Sequence, residues 1–167
     1  VSIVIYYHES ILVLFVIFSV LARALMMVSA IIPMFNVAWC ISTQIEALRI
    51  QDYKYPWELI LVDNGSNDNT ISICNKLILD YPVQVHLISA TSTAGTSYAR
   101  NAGINHSNGD LLCFCDADDR VGISWITELV EAYEKGVLVA GYNRTWNGID
   151  IPNNNKLWCS GSKCHLG

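Results

Sequence analysis

The sequence predicts an α/β domain built on a mostly parallel sheet with flanking helices. From Val28 onward, short apolar runs alternate with amphipathic stretches of helical period, the pattern of successive strand–helix units. The residues best suited to ligand chemistry stand just after those runs, at the carboxyl ends of parallel strands, where open α/β sheets bind ligands. A chain of 167 residues suffices for one sizeable core and is short for two ordinary domains.

The elements follow in order. Residues 1–27 form an apolar segment of different character: Ile11 to Ala22 is apolar except for Ser19, and Arg23 interrupts before Met26 and Met27. A helix over Ile11 to Met27 would reach roughly 26 Å against a hydrocarbon core of roughly 30 Å, with Arg23 near enough to one end to snorkel. Membrane contact is the leading expectation, and a buried soluble helix is the alternative. No Lys or Arg precedes the run, which argues against a secretory signal.

The first strand is expected over Val28 to Ile32, before Pro33. Val37, Ile41, Ile45 and Leu48 recur at helical spacing, so a helix should start near Asn36 and end before Tyr53. Glu58 to Val62 reads as the second strand. Ile71, Cys74, Ile78 and Tyr81 mark a second helix with Ser66 or Asp68 available as its cap. Val83, Val85 and Leu87 alternate as a third strand, Ser97 to about Asn105 forms a third helix, and Leu111 to Cys115 a fourth strand. Ile126, Leu129, Val130 and Tyr133 give a fourth helix its core stripe, and Val137 to Gly141 would be a fifth strand. The segment 147–167 is Asn-rich, lacks a clear period and reads as a loop.

Composition narrows the function. The chain is 52% hydrophobic with a net charge of -5 and has no basic run, which argues against disorder and against a general nucleic-acid binder. Of its six cysteines, four lie within apolar periodic segments, where free thiols act as small hydrophobes, so a reducing compartment fits. The expected location is therefore cytoplasmic, free or attached to the cytoplasmic face of a membrane. Cys159, Cys164 and His165 match no zinc-ligand spacing.

The strongest chemical signal is Asp116-Ala117-Asp118-Asp119. A pair of like charges about 6 Å apart at an effective dielectric near 20 costs roughly 3 kcal/mol, so three carboxylates in four residues require an offset. A helix N-terminus and solvent could provide it; a hard cation, Mg²⁺ or Mn²⁺, holding a phosphorylated ligand could too. The other groups are equally two-sided when taken singly. Pro33 can end a strand and Asn36 cap a helix, Asp63-Asn64-Gly65-Ser66 can be a tight turn, and Arg100 can pair with a surface carboxylate.

Together they resemble the family 2 glycosyltransferases, inverting enzymes with a GT-A fold that use nucleotide-diphosphate sugars. The resemblance runs from about Val28 to Gly141. It rests on Val28 to Asn36, on Val62-Asp63-Asn64-Gly65-Ser66 with Asp68 and Thr70, on Ala99-Arg100-Asn101-Ala102-Gly103-Ile104, and on Gly109-Asp110 leading to Phe114 to Asp119. It implies that residues 28–146 bind the nucleotide sugar, with UDP-sugars favoured. Pro33, Phe35, Asn36 and Asp63 would embrace base and ribose, Arg100 would sit near the nucleotide, and Asp116 and Ala117 would face the ribose or the metal shell. Asp118 would coordinate Mg²⁺ or Mn²⁺, with Asp116 and Asp119 as neighbours.

The family's catalytic base lies on an acidic motif in its second half. That motif is expected beyond Gly167, so the chain reads as a donor-binding half whose segment 147–167 leads toward a missing acceptor half and which is inactive by itself. The full-length enzyme would transfer a sugar to a glycan, lipid or other hydroxyl acceptor. A non-catalytic nucleotide-sugar-binding or membrane-associated module is the alternative. Pro33-Met34-Phe35-Asn36 supplies no G-x-G-x-x-G turn for a dinucleotide oxidoreductase, and a nucleotidyltransferase lacks the support of the ordered motifs.

Overall fold

The computed structural model describes residues 13, 14, 17, 21 and 23–134, with the backbone alone at 134 and at 157–160. Among them, β1 (Val28–Met34), α1 (Ile41–Arg49), β2 (Trp57–Asp63), α2 (Thr70–Leu77), β3 (Gln84–Ser89), α3 (Thr96–His106), β4 (Leu111–Phe114), α4 (Trp125–Glu134) and β5 (Leu157–Ser160) succeed one another. The strands form one sheet in the order β3-β2-β1-β4-β5, and every neighbouring pair is parallel.

Alternation along the central strands divides the core. Ala30, Ile32, Met34, Leu59, Leu61, Leu111 and Cys113 face one layer, where Ile41, Ile45 and Leu48 of α1, Cys74 of α2 and Ile126, Leu129 and Val130 of α4 pack. Ile31, Ile60, Val62, Leu112 and Phe114 face the other, against Ala99 and Ile104 of α3. With both faces covered, β1 and β2 are buried along their whole length, which is why they read as continuous apolar runs.

β1 extends two residues past its predicted end and runs through Pro33. The ladder with β4 stops at Ile31 paired with Phe114, whereas the ladder with β2 continues to Met34 paired with Asp63. Pro33 thus sits where one side of the strand is free, a position that tolerates a missing N–H. α1 begins at Ile41, later than the apolar spacing predicts. Asn36 adopts a left-handed φ of 52°, the N–H groups of Val37 and Ala38 are tied to Thr70 Oγ1 and Asp68 Oδ2, and residues 38–40 form a turn that leads into the helix, with the Val37 carbonyl accepting the Cys40 and Ile41 N–H groups. α2 is capped by Asn69 without a side-chain bond.

The predicted fifth strand over Val137 to Gly141 lies outside the described residues. Part of the tail that reads as a loop, Leu157–Ser160, forms β5 instead, with Leu157 opposite Leu111 and Ser160 opposite Phe114. The apolar segment 1–27 lies largely outside the described residues; residues 23–25 are helical. Among the described residues, no helix is long and apolar enough to cross a membrane.

The amino end of the sheet is closed by a polar network. Fully buried Glu58 accepts bonds from Ser29 Oγ at 2.6 Å, Asn108 N at 2.6 Å and Asn108 Nδ2 at 3.0 Å. His86 Nε2 lies 3.3 Å from Glu58 Oε2, an ion-pair distance, without the alignment of a hydrogen bond. Ser29 Oγ in turn accepts the Gly109 N–H at 2.8 Å. The opposite, carboxyl end is left for function.

Candidate functional site

The strand order reverses between β1 and β4, and in open α/β sheets ligands enter the crevice at such a point. Four loops meet there. The loop after β1 is tied to the loop after β2: Asn36 N–H donates to Ser66 Oγ at 3.0 Å and Asn36 Oδ1 accepts the Asn67 N–H at 2.8 Å. Asp68 joins them, accepting from Ala38 N–H at 3.1 Å, Thr70 N–H at 2.9 Å and Thr70 Oγ1 at 2.5 Å. The Thr70 hydroxyl is the main reason its carboxyl is held below the ordinary range.

Asp63 ends β2 and folds its own turn, its carboxylate accepting the Gly65 and Ser66 N–H groups at 3.1 Å each. Gly65 has a φ of +88°, which a side chain would strain. Asn64 reaches across to the loop after β3. Its Nδ2 donates to the Ala90 and Thr93 carbonyls, and its Oδ1 accepts the Gly95 N–H at 2.7 Å.

These ties enclose a cavity of about 310 Å³ lined by Pro33, Met34, Phe35, Asn64, Ala94, Gly95, Thr96 and Ala99. Its volume is at the lower end for small-molecule sites, about 300–1,000 Å³. One wall is the N-terminus of α3, where first-turn N–H groups have no partner within the helix and favour an anionic group. Phe35 leaves 58% of its surface exposed at the rim, so its ring is available to a planar ligand.

Beside the cavity, Arg100 from α3 donates through Nη2 to Asp116 Oδ1 at 2.7 Å, the two side chains being 11% and 35% exposed. The Arg100 Nε is buried and has no protein partner, so a donor is left for a ligand. Asp118 is exposed and Asp119 half-buried in the loop after β4. Burial raises the Asp119 carboxyl above the usual carboxylate range; the Asp116 N–H opposes this, and the Asp116 and Asp118 charges add to it.

Among the described residues, no three His, Cys, Asp or Glu side chains converge as a ready-made cage. The donor set is nonetheless all-oxygen, and one or two carboxylates suffice for Mg²⁺ or Mn²⁺ when waters and substrate phosphates complete the shell. Asp118 and Asp119 fit that chemistry. Asp116 is engaged by Arg100.

Of the residues singled out in the sequence, Pro33 and Phe35 line the cavity, while Asn36 and Asp63 build its loops. Ala117 is turned into the apolar core, with its carbonyl 3.6 Å from Cys40 Sγ. Met34, Asn64 and Ala99 lay inside the motifs without being assigned to the site, and sequence reasoning missed Ala94, Gly95 and Thr96. The signal for Ala94, Gly95 and Thr96 was the small and hydroxylated run from Thr91 to Thr96, a loop composition with Gly95 near its end.

A family model described as glycosyl transferase family 2 matches residues 29–163, most of the chain. The chain belongs to that family. An uncharacterized glycosyltransferase of Escherichia coli strain K12, YibD, is 35% identical over 119 residues, covering 71% of this chain and 34% of the relative. The Escherichia coli UDP-Glc:alpha-D-GlcNAc-diphosphoundecaprenol beta-1,3-glucosyltransferase WfgD is 28% identical over 131 residues, 78% of this chain and 49% of the relative. The chain therefore spans about a third to a half of the length of these relatives.

Among solved structures, S. aureus TarS 1-349 in complex with UDP superposes with a TM-score of 0.61 at 20% identity, covering 75% of this chain and 38% of that one. The mannosyltransferase PcManGT from Pyrobaculum calidifontis, in complex with GDP-Man and Mn²⁺, gives a TM-score of 0.50 at 29% identity over 55% of this chain and 27% of that one. The fold is thus the GT-A type of α/β fold, as the motifs implied.

Proposed function

We propose that this glycosyltransferase domain binds a nucleotide-diphosphate sugar, with UDP-sugars favoured, and presents it for metal-dependent transfer with inversion to a hydroxyl acceptor. The observation that carries the reading is the cavity of about 310 Å³ between the loop after β1, Asn64 and the start of α3, the helix that also carries Arg100 and its ion pair with Asp116. TarS binds UDP in one of its structures, and PcManGT holds GDP-Man and Mn²⁺; both support a nucleoside-diphosphate ligand, and the second supports a divalent cation. WfgD, a glucosyltransferase that takes UDP-Glc to a GlcNAc-diphosphoundecaprenol, supports a UDP-sugar donor and a lipid-linked glycan acceptor.

Each side chain has a task on this reading. The Phe35 ring and the Pro33 edge receive the nucleobase, and the loops fixed by Asn36, Asp63 and Asn64 hold the ribose. The N-terminus of α3 and the Arg100 guanidinium face the diphosphate, and Asp116 keeps that guanidinium oriented. A divalent cation held by Asp118, with Asp119 beside it, would supply positive charge against the charge that develops on the departing diphosphate.

In the transfer, the acceptor oxygen bonds to the anomeric carbon as the bond from that carbon to the diphosphate oxygen breaks. The acceptor's proton goes to a carboxylate base. The match covers 34% and 49% of the lengths of these relatives, and the base is sought in the part that it leaves uncovered. The four free cysteines among the described residues fit a cytoplasmic, reducing setting.

Calorimetric titration of the 167-residue chain with UDP, with and without Mn²⁺, tests the donor site. Mn²⁺ is expected to tighten UDP binding at least tenfold, about 1.4 kcal/mol, and Asp118→Ala to abolish that gain. A folded chain that binds no nucleoside diphosphate in the presence of Mn²⁺ would refute the donor site.

A further inference from the structure

α1 carries a buried amide in the middle of an apolar face. Gln44 is 0% exposed and stands between Ile41, Ile45 and Leu48 in the same core. A primary amide in such a place costs about 1–3 kcal/mol unless it is hydrogen-bonded, and only half of this one is. Its Oε1 accepts the Val121 N–H at 3.1 Å. Its Nε2 is buried with no hydrogen bond of normal geometry and lies against the Cys115 thiol, whose ionised form it partly stabilises against burial.

An apolar side chain of the same size would remove the unpaired Nε2 but leave the buried Val121 N–H without its acceptor. What it could not do is hold Val121, which stands two residues after Asp119. One helical turn earlier on the same face, Cys40 Sγ lies 3.6 Å from the Ala117 carbonyl. Four residues of helix thus match four residues of loop, and Asp118 and Asp119 lie between the two tethers. Beyond them, Gln51 Nε2 donates to the Gly122 carbonyl at 2.7 Å and its Oε1 accepts the Ile126 N–H at 3.0 Å, so the segment is already anchored on its far side.

We infer that Gln44 is a positioning residue for the acidic loop: by fixing Val121, it sets where the Asp118 and Asp119 carboxylates stand relative to the donor diphosphate. The inference rests on the donor-site reading above. It concerns the cation-dependent part of binding, because Gln44 bonds to Val121 of the acidic loop and is not among the residues that line the cavity.

The test compares UDP titrations of the 167-residue chain, with and without Mn²⁺, for the unmodified protein, Gln44→Met and Gln44→Asn. Both substitutions remove the acceptor from Val121, one by replacing the amide and one by shortening it. Glu58→Gln, at the opposite end of the sheet, serves as a destabilised control. The expected result is that a folded Gln44 variant binds UDP alone as the unmodified protein does but loses at least tenfold of the Mn²⁺ gain, while the Glu58→Gln control keeps that gain. Full Mn²⁺ gain in a folded Gln44 variant overturns the inference, as does equal loss in the control, or failure of both Gln44 variants to fold, which would make the role purely structural. Absence of any Mn²⁺ gain in the unmodified protein overturns the donor-site reading itself, and the inference with it.

Discussion

Glu58 shows how a carboxylate can be buried without becoming a liability. Burial pushes its pKa up, but the Ser29 hydroxyl, both N–H donors of Asn108 and the neighbouring His86 outweigh that and hold it below the ordinary range. Its folded pKa is therefore lower than the unfolded value of about 4.3. The stabilisation is complete above that value and disappears as pH falls through the folded pKa. Glu58→Gln is expected to remove about 2 kcal/mol at pH 7 and to flatten the loss of stability below about pH 4.3. Urea unfolding at stepped pH reads both effects, and an unaltered acid limb in the variant would count against this account.

Single residues at the carboxyl end were harder to read from the sequence. Asp63, Asn64 and Asn36 all belong to motifs that stand out, yet only the Asp63 side chain bonds to its neighbours, whereas those of Asn64 and Asn36 bond to residues 26 to 31 positions away. A turn motif announces that a side chain will bond to backbone; which loop supplies that backbone depends on strand order. Asn64 therefore read as part of a tight turn, whereas it fastens the wall of the cavity.

At the scale of elements, α3 is set apart from the other helices. It packs alone among the described helices on its face of the sheet, and Gly103 allows the close approach. A Cβ added there would meet Ile31 Cγ2 at 2.4 Å and Val62 Cγ2 at 3.2 Å, both in the core. Gly103→Ala is expected to destabilise the protein by about 1–3 kcal/mol through overpacking, seen as a lower midpoint in chemical denaturation. An unchanged midpoint would mean that α3 sits farther from the sheet. The same helix carries Thr96, Ala99 and Arg100, so its depth also sets the position of the cavity wall.

Element type and order were legible because parallel strands buried on both faces leave unbroken apolar runs and helices leave a 3.6-residue period. Boundaries were less so. Apolar spacing gives Val37 to α1, but a turn at residues 38–40 precedes the helix, and the left-handed Asn36 and the bonds to Thr70 and Asp68 tie Val37 and Ala38 to the loop after β2. β5 was not legible at all: Leu157-Trp158-Cys159-Ser160 has too few residues to show a period, and only its pairing with β4 makes it a strand.

At the scale of the molecule, the polar network at the amino end and the crevice at the carboxyl end assign the two ends of one sheet different work. Glu58, Ser29 and Asn108 close the first end, with the hydrogen-bonding capacity of Glu58 used internally. At the second end, the Arg100 Nε is unpaired, Asp118 is exposed after β4, and a cavity opens between the loop after β1 and the start of α3. The sequence allowed the residues after β1, β2 and β4 to be placed on one rim, because parallel connections leave no other choice. It did not reveal the contribution of the loop before α3, since Ala94, Gly95 and Thr96 carry no chemistry of their own.

The most direct test of the central claim is a map of amide resonances during addition of UDP and then a trace of Mn²⁺ to the isotopically labelled chain. The account predicts that UDP shifts the amides of Phe35, Asn64, Gly95 and Thr96, and that Mn²⁺ broadens those of Asp118 and Asp119 first, leaving Ser29 and Asn108 unaffected. Shifts centred on the amino end of the sheet, or broadening that spares the acidic loop, would contradict it.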